Sequence, residues 1–200
     1  MARINFVDDS LYTEILGAPQ TANLLRAIFN APSWAEAFVK LGIVQMTRSA
    51  LPRGDRELVF MRMAHKHRAP YLAHNHQAGA LNSGLTAEQL QELQKRDYAP
   101  HQFSPRQLSI LSMVDAAGLP AQADGARVEE ARTHLSDEEM IEVFGVIGLA
   151  FTVSCITVSL DVELDGEPLK HMEALKTALG PADQMRAQPV DGTDAPTVER

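Results

Sequence analysis

The sequence has 200 residues, of which 45% are hydrophobic, and such a chain is long enough to bury one substantial core. Its formal net charge of -8 argues against nucleic acid or an anionic membrane as a partner, because both select clusters of Lys and Arg. The single cysteine, Cys155, excludes an intrachain disulfide, and the N-terminal segment lacks the long apolar run of a secretory signal. We therefore expect one domain in the cytoplasm that binds a small organic ligand.

The first half of the chain predicts four helices, each bounded by a proline or a glycine. Their predicted ranges are 23–29, 34–41, 55–68 and 70–82. Pro32 separates the first two helices, and Gly42 is expected to end the second. Pro70 forces a restart after the third helix, and Gly84 is the expected stop of the fourth.

Three later helices share one start signal, a hydroxyl side chain followed three residues later by Glu or Gln. The pairs are Thr86 with Gln89, Ser104 with Gln107, and Ser136 with Glu139. In such a capping box the two side chains satisfy free amide donors of the first helical turn. Since no segment alternates polar and apolar residues for long, we predict an all-α fold.

An apolar stretch from Met140 to Leu160 is about as long as a membrane span, which needs ~20 apolar residues. Glu142 and several hydroxyl residues interrupt the stretch, and acidic rather than basic residues flank it. We therefore favour a helix that is buried on all sides of a helical bundle, with no membrane partner.

The C-terminal residues are polar and poor in large apolar side chains, so burial cannot offset the entropy lost on ordering them. We accordingly predict a single all-helical domain over residues 1–180 and a flexible tail over residues 181–200.

The stretch "HKHRAPYLAHNH" contains His65, His67, His74 and His76. His65 and His67 are two residues apart, and so are His74 and His76. This spacing places the two side chains of each pair on nearly opposite sides of a helix. The sequence has no HExxH motif and no Cys/His pairing at zinc spacing. We therefore expect no metal and no other cofactor.

Glu57 lies on the same predicted helix face as Phe60, Met61 and Ala64, a stripe that is typical of a core. Burial disfavours the ionised form of a carboxyl group and so suits it to proton transfer. An ion pair with Arg53, four residues earlier, would instead keep Glu57 charged and structural. The periodicity leaves both interpretations open.

His76 lies on a predicted face of small and apolar residues, where a histidine is more often a hydrogen-bonded core residue than a catalyst. Gly79 within the same helix indicates either the close approach of a neighbour or an early helix end. Two antiparallel helices joined at Pro70 would bring Glu57 and His76 onto facing surfaces. We interpret them as a candidate acid/base pair.

The run "LPRGDRELVFMRMAHKHRAPYLAHNHQAGALNSGLTAEQL" resembles the core of the carboxymuconolactone decarboxylase and alkylhydroperoxidase D family. The shared pattern is a Leu-Pro start, an Arg-Glu pair opening an apolar helix, a short turn, a second helix with His, and Gly-Leu-Ser/Thr with Glu-Gln. Further similarity extends the resemblance to about residues 23–163. It implies an orthogonal helical bundle that assembles into dimers, trimers or hexamers.

The resemblance also gives three residues of this chain a counterpart in the family. Glu57 matches the family glutamate, His76 matches the family histidine, and Tyr71 is the aromatic residue often found in cysteine-free members. The implied function is acid/base chemistry, a decarboxylation or isomerisation of a small organic acid or lactone. In it Glu57 and His76 exchange protons and Tyr71 donates a hydrogen bond to developing negative charge.

Departures of this sequence from the family pattern suggest two alternative functions. The peroxidase branch has two cysteines where this chain has Ala69 and Leu72, and in cysteine-free members the second position is commonly acidic. Losing both thiols removes the nucleophile, and Cys155 is distant and expected to be buried. A non-catalytic ligand-binding oligomer of the same fold is the first alternative. An alkylhydroperoxidase or peroxiredoxin-type antioxidant protein is the second.

Two further predictions concern binding surfaces. An anionic substrate would need a cation, for which the candidates are Arg53, Arg56, Arg62 and Arg68. A surplus of apolar residues near the N-terminus predicts a homo-oligomer, with core packing within one chain as the competing explanation. These residues are Phe29, Trp34, Phe38, Val44 and Met46.

Overall fold

The computed structural model describes residues 1–8, 10, 22–117 and 125–166. These residues contain eight α-helices, one short 3-10 helix at Pro100–Gln102 and no strand, which confirms the all-α prediction. The helices are α1 Asn23–Ile28, α2 Pro32–Arg48, α3 Arg53–Lys66, α4 Pro70–Asn82, α5 Ala87–Leu93, α6 Pro105–Ala116, α7 Gly125–Arg132 and α8 Asp137–Ser159. The predicted tail and the last part of the predicted domain lie outside the described residues.

All three predicted capping boxes are present, at the starts of α5, α6 and α8. At α5, for example, the Gln89 amide donates to the Thr86 hydroxyl at 3.1 Å, and the Thr86 amide donates to the Gln89 side chain at 3.0 Å. The two partners of each box are three residues apart, which is why the local sequence predicts these helix starts.

The prediction that Gly42 ends the second helix is wrong, because α2 continues through it to Arg48. A glycine inside a helix costs only about 1 kcal/mol relative to alanine. Val39 and Ile43, on either side of Gly42, are both buried. Their burial offsets the cost, so tertiary packing overrides the local stop signal.

The apolar residues near the N-terminus divide between the interior and the surface. Phe29 is fully buried, and Phe38 and Met46 pack against the small second core that α1 and α2 form. Core packing within the chain therefore explains these three. Trp34 and Val44 remain exposed on α2.

A tight turn joins α3 to α4 and makes them a hairpin. The Ala69 amide donates to the Ala64 carbonyl at 2.8 Å and the Arg68 amide donates to that of His65 at 3.2 Å, as in a Schellman motif. Arg68 has the left-handed conformation, with φ of 51°, and Pro70 is the first residue of α4. The restart at Pro70 and the end of α4 at Asn82 confirm the predicted hairpin.

Helix α3 is the centre of the bundle and contacts α4, α6 and α8. Its buried side chains include Arg62, which is only 7% exposed. Arg62 binds the Asp115 carboxylate at 2.7 Å and donates to the carbonyl oxygens of Leu93, Lys95 and Arg96. The guanidinium carbon also lies 4.9 Å from the Tyr98 ring centroid. This buried charge therefore ties α3 to the end of α5 and to α6.

The prediction that the apolar helix is buried on all sides is wrong, because α8 buries one side and exposes the other. The buried side packs against α3 and α4. The largest exposed apolar residues on α8 are Ile141, Phe144, Phe151 and Val158. By length and composition alone α8 is able to cross a membrane, although core helices of other proteins meet the same criterion.

Candidate active site

Glu57 and His76 meet across the α3–α4 hairpin. His76 Nδ1 lies 2.8 Å from Glu57 Oε2, which is hydrogen-bond distance. The side chain of Glu57 is 13% exposed and that of His76 is 21% exposed. The structure thus brings the two candidate residues into direct contact at a position that solvent still reaches.

The His76 ring is held on one face by Phe60. Their ring centroids are 3.9 Å apart and the ring planes differ by 19°, so the rings are stacked. Because Nδ1 faces the Glu57 carboxylate, Nδ1 carries a proton and donates it to that carboxylate. The other ring nitrogen, Nε2, has no hydrogen-bond partner among the described residues. Nε2 is the atom that remains available to a bound molecule.

Gly79 makes this contact possible. A Cβ atom at Gly79 would lie 2.9 Å from Glu57 Oε1, closer than real Cβ atoms approach other groups, and it would also lie 3.2 Å from Glu57 Cδ. Since α4 continues to Asn82, the early helix end is ruled out and close approach explains the glycine. Gly79 is therefore the sequence signal that marks where α3 and α4 come together around the carboxylate.

We expect Gly79→Ala to displace the Glu57 carboxylate and break the contact with His76. Alanine normally raises the free energy of unfolding by about 0.5–1 kcal/mol when it replaces a glycine inside a helix. That gain is expected for the control Gly42→Ala, where a Cβ atom meets nothing within 4 Å. Chemical denaturation of both variants measures the difference. Equal stabilisation of the two variants would contradict the close approach.

Arg53 also reaches Glu57, so the ion pair that the sequence suggested is present beside the contact with His76. Arg53 Nε lies 3.8 Å from Glu57 Oε1, while Oε2 faces His76. The Arg53 side chain is 49% exposed, which makes this ion pair weak by itself. Glu57 therefore lies between an exposed cation and a partly covered imidazole.

The other candidate arginines are engaged or distant. Arg56 donates to the Leu51 carbonyl at 2.7 Å, and burial lowers the pKa of Arg56. Arg62 is bound inside the core, as described above. Arg68 lies in the turn after α3, whose last residue, Lys66, is about 14 Å along the helix axis from Glu57. Of the four arginines, Arg53 is the exposed one beside the pair.

The structure places the Tyr71 hydroxyl in a different cluster. It donates to the Asp165 carboxylate and accepts from the Leu24 amide at 3.2 Å. Asp165 is buried and also accepts from the Asn23 amide at 2.8 Å, and its carbonyl accepts from His74 Nε2 at 2.8 Å. Burial and the nearby Asp165 carboxylate raise the pKa of Tyr71 above its usual range. The hydroxyl is thus a structural donor, which does not fit its predicted contact with substrate.

Sequence reasoning missed Asp165, which joins α4 to the start of α1. The signal was weak, because Asp165 belongs to the acidic segment that follows α8 and such segments usually face solvent. Only the return of this segment over α4 makes Asp165 a buried acceptor. The cluster explains both the buried tyrosine and the position of His74.

His65 and His67 have another role. The Nε2 atoms of both are buried without a hydrogen-bond partner. Burial lowers the pKa of each, with smaller contributions from Arg62 beside His65 and Lys66 beside His67. Both rings are therefore neutral packing groups near pH 7. Within the described ranges, no group of three or more His, Cys, Asp or Glu side chains is arranged to hold a metal ion.

The positions that hold cysteines in the peroxidase branch are apolar and closed in this chain. Ala69 and Leu72 are buried at the start of α4. Cys155 is exposed on α8, so the expectation that it is buried is wrong. The reason is the one-sided packing of α8, which leaves position 155 on its outer surface.

The helix order and the hairpin with its Glu and His define a fold of the AhpD type, and solved structures share it. One is a protein of unknown function and putative antioxidant defence protein AhpD from Agrobacterium tumefaciens. It is 20% identical, with a TM-score of 0.64 over 84% of this chain and 100% of that chain. Another is an alkylhydroperoxidase AhpD core, an uncharacterized peroxidase-related protein from Ralstonia eutropha. It is 15% identical, with a TM-score of 0.69 over 90% and 97%.

A third similar structure is the debrominase Bmp8 in complex with 2,3,4-tribromopyrrole. It is 15% identical and has a TM-score of 0.63 over 84% of this chain and 89% of that chain. At these identities the three structures support the fold and not a shared activity. No curated protein sequence matches the chain significantly.

The model of the Carboxymuconolactone decarboxylase family matches residues 32–116, which run from the first residue of α2 to the last residue of α6. The matched part contains the whole α3–α4 hairpin. The match covers 85 of the 200 residues, and it agrees with the resemblance of the sequence to the carboxymuconolactone decarboxylase/AhpD-like family.

Proposed function

We propose that this protein is an enzyme that transfers protons on a small organic acid or lactone, as a decarboxylase or an isomerase. The observation that carries this proposal is the 2.8 Å contact between Glu57 Oε2 and His76 Nδ1. The other nitrogen of this stacked, partly exposed imidazole, Nε2, has no hydrogen-bond partner among the described residues. A carboxylate that orients a histidine in this way is a common arrangement for general acid/base catalysis.

The proposed chemistry follows from the two ring nitrogens. As a base, Nε2 removes a proton from a carbon next to a carbonyl group, and Glu57 stabilises the imidazolium that forms. In an isomerisation, Nε2 then returns the proton to a different atom of the substrate. In a decarboxylation no proton is first removed from carbon: Nε2 takes a proton from solvent, the C–C bond breaks to release CO2 and leaves its electron pair on the carbon, and the imidazolium delivers its proton to that carbon. Either sequence returns His76 to its starting form.

Arg53 is the proposed binding residue for a substrate carboxylate. Its guanidinium is half exposed and lies beside Oε1 of Glu57, the oxygen that does not face His76. The carboxylate of a bound substrate would replace Glu57 as the partner of this guanidinium, because arginine offers two parallel N–H donors to a carboxylate. The substrate would then extend from Arg53 across Glu57 to Nε2.

Cysteine-dependent peroxide reduction has less support. The chain holds one cysteine, and it lies on α8 rather than on the α3–α4 hairpin that carries Glu57 and His76. A second thiol, needed to resolve an oxidised cysteine within one chain, is absent from the sequence.

A ligand screen tests the proposal. We expect small lactones, keto acids or aromatic acids to raise the thermal midpoint of the wild-type protein, because a ligand that binds only the folded state stabilises it. The shift should be lost in Arg53→Gln and His76→Ala. Compounds that bind are then incubated in D2O, where NMR should show deuterium incorporation or loss of CO2.

The alternatives give different results. Equal midpoint shifts in all three proteins would place the binding site elsewhere. Binding that requires Arg53 and His76 but produces no exchange and no product would favour a non-catalytic ligand-binding protein. Activity that disappears in Cys155→Ser would favour the antioxidant alternative.

The proposal also covers the cellular compartment, the assembly and the partners of the protein. A cytoplasmic homo-oligomer without a nucleic-acid or membrane partner agrees with the net charge of -8 and with the single cysteine.

A further inference from the structure

Phe60 and Glu57 are three residues apart on α3, and both contact the imidazole of His76. Residues at this spacing are neighbours on one face of a helix, so one rigid element carries both contacts. Glu57 Oε2 lies 2.8 Å from Nδ1, at an edge of the imidazole. The Phe60 ring covers a face, because the two ring planes differ by only 19°. The same helix therefore contacts an edge and a face of the His76 ring.

The hydrogen bond to Glu57 does not by itself fix the plane of the His76 ring. The last torsion of a histidine side chain is broad, and a hydrogen bond tolerates a range of angles. The ring is therefore free to tilt about Nδ1 while Nδ1 stays beside the carboxylate, and such a tilt moves Nε2. The Phe60 ring prevents the tilt on the covered side, because flat groups with centroids 3.9 Å apart leave no room between them.

Phe60 is held more firmly than the ring that it covers. Phe60 is 8% exposed and belongs to the main core cluster of the bundle. The side chain of His76 is 21% exposed and lies at the border of that core. Side chains in a close-packed core stay in one rotamer on the time average. Phe60 is therefore a fixed surface, and the plane of the His76 ring follows from it.

The Phe60 ring is the third of three contacts that restrict a substrate. Arg53 is the proposed partner of the substrate carboxylate, and Nε2 of His76 is the proposed base. A molecule held at two points is still able to turn about the line between them, which exchanges the two hydrogens of a CH2 group in front of Nε2. Because stacked rings leave no room between them, the substrate reaches Nε2 only from the side away from Phe60. One of the two hydrogens then faces Nε2.

We infer, on the basis of the proposed function, that Phe60 is a positioning residue that keeps Nε2 of His76 in one direction and makes proton transfer stereospecific. In the step concerned, Nε2 takes one hydrogen of the CH2 group as a proton, and the electron pair of the C–H bond stays on the substrate as an enolate. In D2O the imidazolium exchanges this proton for a deuteron and returns the deuteron to the same face of the carbon. The second hydrogen stays in place.

The first experiment needs no substrate and measures the mobility of the His76 ring by NMR relaxation with carbon-13-labelled histidine. His76→Ala identifies the signal. We expect an order parameter of about 0.85 in the wild-type protein and below about 0.6 in Phe60→Leu. The control is Phe103→Leu, because Phe103 is 7% exposed in the same core cluster but packs against Tyr98. The control should leave the His76 ring rigid.

The second experiment counts the deuterium atoms that the protein adds to levulinate, a keto acid with a CH2 group next to its ketone. In D2O, NMR should show that the wild-type protein replaces one hydrogen of this group and then stops. Phe60→Leu should replace both hydrogens, and its kcat should fall by about 10- to 100-fold with little change in KM, because Nε2 is misplaced. Phe60→Tyr retains the ring and should behave as the wild-type protein, as should Phe103→Leu.

Three results would overturn the inference. The first is a His76 ring that is equally rigid in the wild-type protein and in Phe60→Leu, and the second is a ring that loosens as much in Phe103→Leu. The third is a wild-type protein that replaces both hydrogens of levulinate. Failure of the proposed function gives another result, in which no exchange occurs with levulinate or with any compound of the ligand screen. That result would remove the stereochemical part, while a ring that loosens only in Phe60→Leu would still show that Phe60 holds the imidazole.

Discussion

Glu57→Gln is expected to lower the turnover number by ~10²- to 10⁴-fold, the range typical for loss of one acid/base partner. Glutamine has nearly the same shape as glutamate and still accepts from His76 Nδ1, but it has no charge to stabilise the imidazolium. Because the arginine proposed to bind substrate is unchanged, KM should change much less than kcat. Steady-state kinetics on a substrate found in the screen, with circular dichroism as a check of folding, measures this effect.

The pair should also behave as a unit. His76→Ala is expected to cause a similar fall in kcat, and the double variant should be little worse than either single variant. Glu36→Gln is the matched control, since Glu36 is paired with Lys40 at 2.6 Å on the surface of α2. Independent effects of Glu57 and His76 that multiply in the double variant would contradict the proposed coupling.

Arg62→Met is expected to lower the free energy of unfolding by about 3–5 kcal/mol, the usual effect of removing one member of a buried ion pair. The variant leaves the Asp115 carboxylate without its main partner. It also leaves the carbonyl groups of Leu93, Lys95 and Arg96 without the donors that satisfy them. The corresponding fall in the thermal midpoint is about 6–20 °C for a domain of this size.

An exposed arginine provides the comparison. Arg132 pairs with Asp137 at 3.2 Å, and its side chain is 50% exposed. Arg132→Met should therefore change the free energy of unfolding by about 0–1 kcal/mol. Denaturant titration of both variants gives the two values. Similar values would show that the Arg62 bonds add little to the stability of the core.

Features that depend on neighbouring residues were predictable from the sequence. The three capping boxes and the restart at Pro70 were found because their partners are close in the chain. The contact between Glu57 and His76 followed from one short turn and the faces of two helices. Gly79 gave a signal, but the sequence did not show which neighbour it admits.

Features that depend on distant packing were not predictable. Whether apolar α8 is covered on one side or on all sides depends on the position of other helices, and composition does not determine this. Arg62 was considered only as a possible anion-binding residue, because its backbone acceptors lie in a segment more than thirty residues later. The continuation of α2 through Gly42 likewise depends on the core that α1 and α2 share.

The two polar contacts of α4 differ greatly in chain separation. Glu57 and His76 are 19 residues apart, whereas Tyr71 and Asp165 are 94 residues apart. Closing the longer loop costs more chain entropy, so the shorter contact forms with less help from the rest of the molecule. Amide exchange near Asp165 is therefore expected to occur through local opening that leaves the α3–α4 hairpin intact. We therefore expect the Tyr71–Asp165 contact and the acid/base pair to open as separate cooperative units, so that a substitution at one would leave the other folded.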